Sequence, residues 1–236
     1  MRLTIHRGTK EIGGSCIELE TQSTRLFLDI GLPLVDREGN PLDSRHCKDL
    51  DIAQLRERQI APDIQSLYND SPTFPDALLL SHSHLDHYGL LPYIHNSIPI
   101  YCSKGTRKIL EIAYFFGQSQ FDPESVRVLE PWKDVQVGEF KITPYLADHS
   151  AIDAFSYLIE TEEKKLFYTG DLRSHGRKSV LFENLLKQPP KDIDYLITEG
   201  SILGRDNYEQ TNEKDIEEAL VKEFLNKGLY IVSFSS

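Results

Sequence analysis

Three histidines and an aspartate fall within six residues of this chain, at His82, His84, Asp86 and His87. They follow Ala77, Leu78, Leu79 and Leu80, an apolar run with the length of a buried strand. Side chains two apart on a strand share a face, so the end of that strand would present His82 and His84 together. A tight turn after them can bring Asp86 and His87 back to the same point. Imidazoles and a carboxylate converging in this way suit a borderline-soft divalent cation, zinc before others. A lone histidine here would be an ordinary polar residue. Four ligand-type residues in this order, opening a helix expected over residues 89–94, point to a metal site.

Other residues are placed to join it. His149 lies just beyond a strand-like run, and Asp171 ends another behind Gly170. Each alone would be unremarked, but with the opening motif they complete a ligand set. Asp29 closes an apolar strand shortly before Gly31. It reads either as a turn-capping aspartate or as a carboxylate that orients metal ligands. Arg173, His175, Arg177 and Lys178 follow Asp171 closely, at the rim of such a site. They read either as a solvated loop or as contacts to a phosphate backbone.

The elements that must position these residues alternate along the chain. Strands are expected near residues 3–6, 15–20 and 25–31, the last two as a hairpin. Residues 32–75, rich in Pro, Asp and Arg with one helical patch at 51–59, read as an active-site border or small subdomain. Arg37, Arg45, Lys48, Arg56 and Arg58 lie there, on a face interspersed with acids or meeting an anionic substrate. A strand at 98–102 precedes a helix at 106–116, whose apolar stripe would be Ile109, Ile112, Ala113 and Phe116, with Tyr114, Phe115 and Phe116 packing inside. Further strands are expected at 125–129, 134–137, 140–144, 155–160 and 165–171, and a buried one at 195–198 that ends on Glu199, Gly200 and Ser201. A helix capped by Thr211 or Asn212 would bury Ile216, Ala219, Leu220 and Phe224, with a final strand at 229–234.

Composition narrows the setting. The balance of 26 basic and 37 acidic residues, net −11, argues against a generally basic nucleic-acid surface. Bound cations and local basic clusters would leave a phosphodiester substrate open. No apolar stretch has the length of a membrane span, and the first residues lack a signal-peptide core. Cys16, Cys47 and Cys102 are widely spaced and odd in number, which suits reduced thiols and a cytoplasmic protein.

With these residues in view, the chain resembles the metallo-β-lactamase superfamily. The resemblance rests on His82, His84, Asp86 and His87 as its HxHxDH motif, His149 as the next histidine, Thr169-Gly170-Asp171 as the bridging aspartate, and Asp29 as the first, structural aspartate. It implies an α/β fold, an αβ/βα four-layer sandwich of two mixed sheets with helices outside. Glu11-Ile12-Gly13-Gly14 and Glu199-Gly200-Ser201 are similar to the β-CASP branch, which includes ribonuclease J. That similarity implies a metallo-β-lactamase-like domain over residues 1–200 and the start of an inserted domain over 201–236. The fold and the ligand set would then be incomplete at the C-terminal end, as in the front part of a longer protein.

The same resemblance implies a mechanism. His82, His84 and His149 would hold one zinc, Asp86 and His87 would serve a second, and Asp171 would bridge. Manganese is the other metal left open. Asp86 and Asp171 would be the catalytic carboxylates around a metal-bound hydroxide, with Arg173, His175 and Glu199 as substrate contacts. RNA would be the substrate of the parent protein, with no membrane partner. Two alternatives stay open: a thioester or lactone hydrolase of the same fold, and an inactive binding or assembly module able to self-associate through an unpaired strand.

Overall fold

The computed structural model describes residues 1–204 and 211–231. In chain order its strands are β1 (Arg2–Arg7), β2 (Cys16–Glu20), β3 (Arg25–Leu28), β4 (Ala77–Leu79), β5 (Ile100–Cys102), β6 (Arg127–Val128), β7 (Val135–Val137), β8 (Phe140–Leu146), β9 (Phe155–Glu160), β10 (Lys165–Tyr168) and β11 (Tyr195–Ile197). The helices are α1 (Ser44–Cys47), α2 (Ile52–Glu57), α3 (Leu85–Tyr88), α4 (Lys104–Phe115), α5 (Ser179–Lys187) and α6 (Glu213–Phe224). One sheet has the order β1-β2-β3-β4-β5-β6 and the other β11-β10-β9-β8-β7. Both are mixed: β3 to β6 run parallel after an antiparallel start, and β11 lies parallel to β10. The αβ/βα sandwich expected from the sequence is the architecture observed.

Strand alternation divides the core. Leu26, Leu28 and Leu79 point between the sheets, meeting Phe140, Ile142, Tyr157, Ile159 and Leu166. Phe27, Leu78 and Leu80 point the other way, against Leu55, Leu67, Tyr68, Leu91 and Leu110. Residues 32–75 are therefore a packed cover on the first sheet. Arg56 stacks over the Tyr68 ring at 4.6 Å and pairs with Asp70 at 2.7 Å, while Arg45 pairs with Asp43. These cations meet acids of their own segment. No helix among the described residues is long and apolar enough to cross a membrane.

Several elements differ from their sequence expectation. The helix expected at 89–94 is instead α3, four residues earlier, followed by a 3-10 turn at Leu91–Tyr93. Pro92 stands in the first turn of that 3-10 segment, where its missing N–H costs nothing. The buried side of α4 is Thr106, Leu110 and Ala113, whereas Ile112, Tyr114, Phe115 and Phe116 are exposed, Phe115 by 81%. In β11, the edge strand of its sheet among the described residues, Tyr195 and Leu196 are exposed. Helix α6 is capped by Asn212 as expected, yet Ile216, Leu220 and Phe224 face outward. Leu229 to Ile231 form no strand, and residues 232–234 lie outside the described residues. Helix α1 is a single turn, too short to show a period, and α5 is a nine-residue helix outside the expected elements. Of the 125–129 segment, Arg127 and Val128 pair with β5, and Leu129 N–H donates to Cys102 O at its end at 2.8 Å.

Glu18 on β2 is a buried acid, 4% exposed. His6 Nε2 lies 2.7 Å from its carboxylate, and Arg25 Nε donates to the other oxygen. Burial alone would raise its pKa, but the hydrogen bonds from His6 and Arg25 outweigh it and bring it to about 2. A carboxyl lowered in the folded state stabilises above its unfolded pKa, and that contribution is lost as pH falls through the folded value. Glu18→Gln should therefore cost about 3 kcal/mol at pH 7 and less than half of that at pH 3. Urea denaturation of both proteins across that range measures it; a pH-independent difference would contradict the pairing.

Candidate metal centre

The site is assembled at one edge of the sandwich. After β4 the chain continues through Ser81 and His82 into α3, whose N-cap is His84. The His84 ring makes no capping bond and stays free to face the centre. Helix α3 has only one turn, so apart from Leu85 O, which accepts Gly89 N–H at 2.8 Å, its carbonyls need outside donors. The loop after β3 supplies most of them: Leu32 N–H donates to Leu85 O at 3.0 Å and Ile30 N–H to His87 O at 2.8 Å, while Ser15 N–H donates to Asp86 O at 3.1 Å. The approach is so close that a Cβ on Gly31 would lie 1.6 Å from the Asp86 carbonyl oxygen. Glycine is required at that position by space alone.

Two groups of donor atoms result, each with its atoms within 4.8 Å of one another: His82, His84 and His149, and His82, His87 and Asp171. His84 Nδ1 lies 3.1 Å from both His82 Nε2 and His149 Nε2. Asp171 reaches both groups, with Oδ1 3.3 Å from His87 Nε2 and Oδ2 3.8 Å from His149 Nε2. Asp86 falls in neither group; its Oδ2 is 3.8 Å from His87 Nε2.

Below them lies Asp29, fully buried and held at φ 56°, a left-handed conformation uncommon for residues with a side chain. Its Oδ1 accepts Ser81 N–H at 2.7 Å. Its Oδ2 accepts Ser81 Oγ–H at 2.7 Å, Tyr168 O–H at 2.6 Å and His87 Nδ1–H at 2.8 Å. Burial disfavours charge on His87, but Asp29 and Asp171 overcome it and raise its pKa well above the ordinary value. The other rings go the opposite way. Burial, reinforced by His87, His149 and His84, holds His82 far below its usual pKa. Burial lowers His84 as well and takes His149 to about 4, against the pull of nearby carboxylates. Three neutral imidazoles turned to one point, next to a carboxylate kept ionised by His87, form a donor set that fits a divalent cation.

The remaining candidates surround this centre. Glu199 accepts Leu172 N–H at 2.8 Å and Ser201 Oγ–H, which secures the chain just after Asp171. Arg173 lies against Asp148 at 3.4 Å and Glu213 at 2.7 Å. Arg177 pairs with Glu217, and Lys178 donates to Ala151 O at 3.2 Å. His175 contributes its carbonyl, which accepts Glu213 N–H at 3.1 Å. A groove of about 1030 Å³ opens over Asp86, His87 and Asp171. One wall is the loop from Gly8 to Gly13, the other Thr198 to Ser201.

Sequence reasoning missed Ser81, Tyr168 and Asp148. Ser81 and Asp148 each precede a ligand histidine, the only signal they carry. Tyr168 carries none, because it meets Asp29 across 139 positions of chain.

Comparisons with known proteins agree with this geometry. Residues 50–221 match the β-lactamase superfamily domain. Over 244 residues the chain is 28% identical to an RNase J-like protein of Methanocaldococcus jannaschii, covering 98% of this chain and 50% of that one. It is 25% identical to transcription termination factor FttA of Methanothermobacter thermautotrophicus, with coverage of 94% and 34%. A solved structure of a protein of unknown function from Enterococcus faecalis superposes with a TM-score of 0.80 at 26% identity, covering 94% and 57%. The chain thus spans half or less of the length of these two curated relatives.

Asp29→Ala would leave Ser81 N–H, Tyr168 O–H and His87 Nδ1–H without their carboxylate acceptor in a buried site. It should cost about 3–5 kcal/mol, whereas Tyr168→Phe, which removes one bond, should cost about 1 kcal/mol. Denaturant midpoints of the two variants test this, and equal costs would deny Asp29 its central place.

Proposed function

The chain belongs to the β-lactamase superfamily, and on that premise we propose that it is a metal-dependent hydrolase acting on RNA phosphodiesters. The observation that carries the reading is the pair of donor groups that share His82, set at the head of an open groove. His82, His84 and His149 would hold one cation. Asp86 and His87 would serve a second, with Asp171, which reaches both groups, between them. Zinc fits the imidazole-rich set best, with manganese as the alternative. When bound, such cations acidify a water molecule and offset charge developing at an attacked phosphorus.

The residues of the chain do the rest. Asp29 accepts a hydrogen bond from His87 Nδ1–H and so turns Nε2 toward the centre. Burial keeps the other three rings in their neutral, ligating form. Asp86 borders the groove, where its carboxylate can receive a proton from the attacking water. RNA as substrate is supported by the relatives named RNase J-like protein and ribonuclease J, the latter from Helicobacter pylori. Three free, buried cysteines fit a cytoplasmic setting. Residues 1–200 would form the catalytic domain and 201–236 the start of an inserted one.

Local charge indicates where a phosphate backbone would lie. Arg7 is neutralised by Glu11, and Arg173 and Arg177 are held by acids of α6. Lys10 borders the groove, is exposed, and has no ion-pair partner among the described residues. It is the cation available to an incoming phosphate.

Purified protein should contain divalent metal, lose ribonuclease activity on chelation and recover it with zinc. His84→Ala should lose both metal and activity; full zinc occupancy in that variant, measured by plasma emission, would overturn the assignment. Lys10→Ala should weaken single-stranded RNA binding several-fold and reduce the slope of log affinity against log salt by about 0.7. An unchanged slope would remove Lys10 from the binding path.

A further inference from the structure

We propose that Asp148 is a positioning residue that locks the loop carrying His149 against the loop carrying Asp171, with Arg173 as part of the lock. This rests on the metal-centre reading above and extends it to residues that touch neither metal nor substrate.

The problem these residues solve is topological. Strand β8 ends at Leu146 and β10 at Tyr168, so His149 and Asp171 both lie beyond the last rung of their sheet. No ladder bond sets the distance between them. Yet a shared cation needs both side chains within a few tenths of an ångström of their places. The 3.8 Å between His149 Nε2 and Asp171 Oδ2 must therefore be fixed by neighbours.

Asp148 supplies the fixing contacts. Its side chain is 0% exposed, and a buried carboxylate persists only when paired. Its Oδ2 accepts Gly176 N–H at 3.0 Å, and its Oδ1 faces Arg173 Nε at 3.4 Å. Its carbonyl accepts Arg173 N–H at 2.8 Å. Three contacts thus join the residue before His149 to the segment that begins two residues after Asp171. The packing leaves no slack: a Cβ on Gly176 would lie 2.3 Å from Asp148 Oδ1 and 2.5 Å from Arg173 Nε.

The outer side of the lock is closed by α6. Glu213 Oε1 pairs with Arg173 Nη2 at 2.7 Å, its Oε2 accepts Arg177 N–H at 2.9 Å, and its own N–H donates to His175 O at 3.1 Å. Arg173 therefore stands between a buried and a surface carboxylate. A guanidinium committed in this way is a strut between loops and is not free to bind a substrate phosphate.

The test uses the 236-residue chain with three substitutions: Asp148→Asn, Gly176→Ala and Arg173→Lys. Gly176→Ala disturbs the lock by bulk alone, and Arg173→Lys keeps the charge while losing the Nε contact. Cobalt(II) serves as the probe, read by its visible ligand-field spectrum and by competition with a chelator. Each folded variant should bind cobalt 10- to 100-fold more weakly, the usual cost of losing a contact that orients ligands, with an altered spectrum. The Asp148→Asn/Gly176→Ala double variant should be no worse than the worse single one, because both break one lock. Hydrogen exchange on the metal-free protein gives a second readout: Arg173 and Gly176 amides should lose protection in Asp148→Asn. Unchanged affinity and spectrum in folded variants, or unchanged protection, overturns the proposal. If the unsubstituted chain takes up no cobalt, the metal-centre reading fails instead, and the exchange result alone decides whether Asp148 couples the loops.

Discussion

A single carboxylate, that of Asp29, holds the centre together. It accepts four hydrogen bonds, two from Ser81 and one each from His87 and Tyr168. Those donors come from the end of β4, from α3 and from the end of β10, so one buried charge joins both sheets. Such a charge is costly to bury unless it is saturated with donors and matched by a cation. Ser81, Tyr168 and His87 meet the first requirement with their donors. That need explains why the surrounding backbone is so constrained, with α3 pressed against Gly31 and Asp29 in a left-handed conformation.

The division of labour between the sheets follows. The first sheet delivers His82, His84, Asp86 and His87 from one strand end and one helical turn. The second sheet delivers His149 and Asp171 from loops past β8 and β10. The sheets are stitched together next to the site, where Phe155 N–H donates to Ser81 O at 2.8 Å and Tyr157 O–H to Leu80 O at 2.7 Å. Apolar packing between the sheets supplies the bulk of the attraction, but it is non-directional. These directional bonds set the register that brings imidazoles from both sheets within 3.1 Å of each other.

Charge is arranged so that the acidic surplus of the chain does not flood the site. The segment after Asp171 is basic, and α6 faces it with Glu213 and Glu217. The cations that a reader of the sequence would assign to a nucleic-acid strand are thus partnered within the protein. The apolar residues of α6, by contrast, are all exposed, and Phe224 meets the Tyr230 ring edge-on just past the helix. The helix is held to the rest of the chain by its charged edge.

The metal motif was legible because it is local. His82, His84, Asp86 and His87 lie within six residues behind an apolar strand, and strand geometry alone turns the first two the same way. Most strands, the hairpins and the Asn212 cap were legible for the same reason. What is not local was invisible. The Tyr168–Asp29 bond spans 139 positions and both sheets, and Asp148 finds Gly176 only because β8 and β10, on either side of β9, end at the same edge of one sheet. Burial was misjudged in Phe115, Leu196 and Ile216, since periodicity marks which face is apolar but not whether a neighbour covers it. The sequence by itself determined the chemistry of the ligands, through residue type and short spacing. Only the tertiary structure decided which side chains hold those ligands in place, because contacts between distant segments depend on how the sheets stack.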